Sequence, residues 1–89
     1  MTIGALTSGV APMAIEPAAA AAAGELTTVE ASSVNLVSGE ARVTVRFTAE
    51  DDEIAHQVAS HVLNVTSSMA AIPGWQVTRR VGSRWNRIG

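Results

Sequence analysis

The sequence of 89 residues carries 8 acidic and 6 basic side chains, a net charge of −2, and no cysteine. Disulfides and thiolate metal sites are therefore excluded, and the excess of basic groups that generic phosphate binding needs is missing. With one Phe, no Tyr and two Trp, the core must be built from aliphatic residues. A core of this size rarely supplies more than about 3–5 kcal/mol, so association with other copies or docking on a larger partner is the expected supplement.

Residues 1–24 read as an apolar N-terminal arm and residues 25–89 as one small α+β domain. Met1 to Ile15 contains no charge but includes Ile3, Leu6, Val10, Met13 and Ile15. It has neither the basic start nor the unbroken apolar centre of a secretory signal, and no run is long enough to span a bilayer. The alternatives are a disordered start or an extended arm that gains order on another subunit. Glu16 to Gly24 has Pro17 near its start, an all-alanine interior and Gly24 at its end, which suits a short helix. So short a helix needs docking to persist, and the competing reading is a low-complexity alanine linker.

From Leu26 the pattern turns to strand. Leu26 to Val37 is rich in Val and Thr, with a slip in alternation near Ser32-Ser33 that a bulge there would restore. Ser38-Gly39-Glu40 supplies turn chemistry, and Arg42 to Phe47 alternates with Val43, Val45 and Phe47 on one face. The two strands are expected to form an antiparallel hairpin with one wet face.

Thr48 to Gly74 reads as one long amphipathic helix. Thr48 would open a capping box with Asp51, and Ile54, Val58, Val62, Val65, Met69 and Ile72 would form its apolar face until Pro73-Gly74 ends it. Trp75 to Val81 is expected to be a strand, with Gly82-Ser83 as a two-residue turn and Arg84 to Ile88 returning beside it. In that register Val77 faces Ile88, Val81 faces Arg84, and Arg80 lies across from Trp85, close enough for a cation–π contact. Arg79 falls on the face of Val77 and Val81, which requires either a bulge or a face only partly buried.

The expected fold is thus an α+β two-layer sandwich, ββαβ or ββαββ, with one long helix across an antiparallel sheet. Little in it carries chemistry. His56 and His61 sit five residues apart on the helix, about 140° around its axis, and do not converge on a metal. No serine lies in a nucleophile elbow and no glycine-rich phosphate loop occurs. The expectation is a chain that is not an enzyme, with no cofactor and no metal.

Every basic residue is an arginine, and four of the six follow residue 78. Arg79, Arg80, Arg84, Trp85 and Arg87 are the candidate partner-binding residues, since arginine and tryptophan dominate binding hot spots. Ile3 and Leu6 of the arm join them. The leading functional expectation is a non-catalytic structural or assembly protein that self-associates or docks on a larger complex, in the cytoplasm or a virion. A phage head–tail or tail component is one such role, suggested also by the alanine- and arginine-rich, lysine-free coding bias. The alternative is a small nucleic-acid-binding module in which Trp85 stacks on a base and the arginines hold phosphates. A regulatory domain binding a metabolite between subunits ranks third.

Overall fold

The computed structural model describes residues 1–81 and 83–88. The order is β1 (Thr2–Ile3), a 3-10 turn at Pro12–Ala14, α1 (Ile15–Gly24), β2 (Val29–Val37), β3 (Glu40–Phe47), α2 (Asp52–Thr66), β4 (Val77–Val81) and β5 (Arg84–Ile88). It is an α+β chain with two antiparallel sheets, one ordered β1-β3-β2 and the other the β4–β5 pair. Among the described residues no helix is long and apolar enough to cross a membrane.

β2 and β3 are joined by Ser38 and Gly39, both at positive φ (52° and 81°). This is the primed turn whose twist matches that of the flanking strands, and glycine occupies the second left-handed position. Val34 pairs with Val43 and Leu36 with Ala41, while the register shifts between Val29 and Ala31. The bulge thus falls at Glu30 and not at Ser32-Ser33 as expected from the sequence. Its place there leaves Ala31–Val37 as one unbroken run opposite β3.

The first residues are built into this same sheet. The Met1 ammonium donates to the Val43 carbonyl (2.8 Å), and the Val43 amide donates back to the Met1 carbonyl (2.9 Å). On its other side the segment meets the stretch after α2, with Thr2 donating to Gly74 (2.8 Å), Gly4 to Ala71 (2.7 Å) and Thr7 to Met69 (2.8 Å). Gly4 lies so close that a Cβ there would stand 3.2 Å from Ala71. The ordering surface for residues 1–7 is therefore this chain's own β3 and its own residues 69–74.

The alanine segment forms α1, with Pro17 in its first turn, where a missing amide proton costs nothing. Ile15, Ala19, Ala22 and Ala23 lie on one face, and all four are buried. Methyl side chains allow close approach, and α1 packs against α2, β2 and β3. The core is therefore shared by two helices, where the sequence pointed to one: Val58 and Val62 of α2 join the α1 residues, Val43 and Ala70.

α2 is shorter than expected at both ends. Its N-cap is Asp51, whose carboxylate accepts from the Ile54 amide (2.8 Å), while Thr48 is held by Thr27 at the base of the hairpin. The helix stops at Thr66, eight residues before Gly74. The hydroxyls of Thr66, Ser67 and Ser68 donate to the carbonyls of Val62 (2.9 Å), Asn64 (3.2 Å) and Val65 (2.8 Å), and such bonds compete with helical continuation. The backbone beyond then bonds to residues 2–7. The buried face is Ala55, Val58, Val62 and Thr66, whereas Ile54 is exposed. The apolar stripe read from the sequence is thus rotated, because α1 supplies a wall that the sequence did not announce.

β4 and β5 pair in the expected register, Val77 with Ile88, Arg80 with Trp85 and Val81 with Arg84. The register is continuous, so the Arg79 conflict is resolved by partial burial: Val77 is buried while Arg79 and Val81 are exposed. The expected turn at Gly82-Ser83 involves Gly82, which lies outside the described residues.

Candidate functional site

Two surfaces gather most of the candidate residues. The first is an open groove of about 780 Å³ bordered by β3, the start of α2 and the β4–β5 pair. Both tryptophans line it. Met1 occupies the edge of β3 only as far as Val43, so beyond that point the strand's outer edge opens into this groove. Trp85 stands at the opposite wall with the Arg46 guanidinium over its ring, 5.1 Å from the centroid. Arg79 reaches Asp52 of α2 at 3.6 Å, and both side chains are too exposed for the pair to contribute much.

Arginines and carboxylates are equal in number around the groove, which Met1 also lines. Arg42, Arg46, Arg79 and Arg80 face it, and so do Glu30, Glu50, Asp51 and Asp52. Arg84 and Arg87 lie on β5, are exposed, and do not line the groove. The structure therefore brings Arg79, Arg80 and Trp85 together and leaves the other two arginines apart. Arg42, Arg46 and Trp75 are the groove residues that sequence reasoning missed. The polar face of the alternating strand Arg42–Phe47 was the signal for the two arginines, but nothing in the sequence reveals which element that face opposes.

The second surface lies at the far side of the sheet, on β2. An apolar hollow of about 320 Å³ is lined by Ile3, Leu6, Pro12, Ile15, Val34 and Leu36, among others. Leu36 is 77% exposed and Val34 53% exposed. Ile3 packs on the core, whereas Leu6 bridges to Ala70 and keeps part of its surface in solvent. The two arm residues singled out from the sequence thus line one hollow together with Val34 and Leu36.

The outer edge of β2 borders this hollow, and its hydrogen-bonding pattern follows from Met1. Val43 directs its amide and carbonyl to Met1, so it does not exchange bonds with its partner Val34. In an antiparallel ladder the groups alternate. Ser32, Val34 and Leu36 therefore point their amides and carbonyls outward, and among the described residues no strand pairs with them. Ser32 is anchored from above, its hydroxyl donating to Glu16 of α1 (2.8 Å).

His61 Nε2 lies 2.7 Å from the Glu25 carboxylate, tying α2 to the end of α1. Among the described residues no three metal-binding side chains converge. No protein-family model, no curated protein and no solved structure matches this chain.

Proposed function

We propose that this chain is a non-catalytic assembly protein that works by self-association or by docking on a larger protein complex. The observation that carries the reading is the outer edge of β2. Ala31–Val37 holds seven successive uncharged residues with outward backbone groups and three exposed aliphatic side chains, Val34, Leu36 and Val37. Proteins that remain monomeric protect such edges with lysine, proline, inward charges or a covering element. This edge has none of these along its regular run. An apolar hollow beside it adds surface that gains by being covered.

The groove favours the same class of partner. Four arginines facing four carboxylates suit a polypeptide, with its mixed charges, better than a phosphate backbone of one sign. In this reading the helices and the main sheet form a two-layer platform, and its free edge is the working surface. A particle built from many copies, a phage head–tail or tail structure among them, is the kind of assembly that such a platform suits.

Sedimentation velocity across a wide concentration range tests the reading. A sedimentation coefficient that rises with concentration is expected. A chain that stays monomeric at the highest attainable concentration removes self-association and leaves only docking on a different protein.

A further inference from the structure

We propose that two copies of this chain join through β2, strand against strand about a two-fold axis at Val34, making one continuous six-stranded sheet. The inference rests on the self-association reading above and adds its surface, symmetry and register.

The register follows from three constraints. Outward backbone groups belong to Ser32, Val34 and Leu36, so a hydrogen-bonded ladder must place even-numbered residues opposite even-numbered residues. That restricts the two-fold to a residue and excludes a point between residues. The regular run is bounded by the bulge at Glu30 and the turn at Ser38, and its midpoint is Val34. A two-fold there uses the whole run, with Ala31 opposite Val37 of the second copy, Ser32 opposite Leu36, and Val34 opposite itself. Moving the axis by one residue shortens the ladder and sends one end into the turn.

Side-chain chemistry agrees with a second copy as the occupant. The run contains no charge, so a self-pairing sets no like charges against one another. Glu30 of each copy lies beyond opposite ends of the shared ladder. Directly opposed residues of an antiparallel pair share a face, so Val34 and Leu36 of both copies gather on the side that carries α1. There they extend the hollow formed with Ile3 and Leu6, and the two hollows close over a common apolar strip. A strand from a different protein satisfies the same backbone groups but has no reason to match the seven-residue span or its midpoint.

The absence of native cysteine makes the test direct. In the proposed register the two Val34 Cα atoms lie about 5.5 Å apart, within disulfide range. The Leu36 positions are offset by four residues, roughly 13 Å along the strand, and are out of range. Val34→Cys is therefore expected to give a covalent dimer under mild oxidation, Leu36→Cys is not, and Leu36→Lys is expected to raise the concentration needed for association roughly tenfold or more. Leu36 is exposed in the single chain, so Leu36→Lys should retain the circular dichroism of the parent. Association that persists in Leu36→Lys without a Val34→Cys dimer overturns this interface while leaving self-association standing. A parent chain that never associates overturns both. Equal cross-linking at positions 34 and 36 overturns the register.

Discussion

Arg46 of β3 lies over the ring of Trp85 on β5, 5.1 Å from its centroid, so one cation–π contact spans the groove between the two sheets. The buried Val77 and the exposed Arg79–Asp52 pair also hold the β4–β5 pair to the body. Cation–π contacts at exposed sites contribute about 0.5–1 kcal/mol. Arg46→Ala should lower stability by about that amount and shift the tryptophan emission maximum, because Trp85 gains freedom. A double-mutant cycle of Arg46→Ala with Trp85→Leu isolates the pair, and a coupling energy near zero would remove its role.

The rotated face of α2 gives an unequal pair of substitutions. Val58 is 1% exposed and Ile54 is 37% exposed. Val58→Asp should unfold the chain at room temperature, since an unpaired buried charge costs several kcal/mol against a small total stability. Ile54→Asp should change stability by only about 0.5 kcal/mol. Urea melts of the two variants check this, and equal destabilisation would restore the face expected from the sequence.

Capping offers a second contrast. Asp51→Ala removes the acceptor for the Ile54 amide and should cost about 1 kcal/mol, the usual loss for an N-cap. Asp51→Asn, which keeps an acceptor oxygen, should recover most of it. The urea midpoint is the readout.

Burial and the nearby Arg42 hold the Met1 ammonium below its usual value of 8.0. The unfolded chain then binds more protons than the folded one between the two values, so folding stability rises as pH increases through that window and levels off above about 8. The gain is absent once pH falls below the folded value. Urea midpoints measured between pH ~6 and ~9 should show this rise in a chain that keeps a free Met1 amine, and N-terminal acetylation should abolish it.

How far the sequence could be read depended on whether a signal was local. The β2–β3 turn at Ser38-Gly39, the clean alternation of Val43, Val45 and Phe47, and the β4–β5 register were all legible, because each is set by neighbours a few residues away. The end of α2 was not. Met69 and Ile72 continued the helical spacing, but their segment bonds to residues 2–7, a partner more than sixty residues distant along the chain. The same blindness hid α1 as a structural wall: six successive alanines carry almost no amphipathic pattern, yet methyl groups are what let two helices meet closely. Of the candidate sites, the Arg/Trp cluster was visible through residue type, while the β2 edge was not, since Val34 and Leu36 look like core until the pairing partner is known.

The lattice of bonds between residues 1–7 and 69–74 ties together two stretches that emerge from the ribosome more than sixty residues apart. A nascent chain can assemble the β2–β3 hairpin early, but the slot between β3 and the post-helix segment stays vacant until most of the polypeptide has been made. Maturation therefore closes late, and an intruding amino-terminal segment from a neighbouring molecule would find the same slot open, a route to domain exchange during synthesis on crowded polysomes.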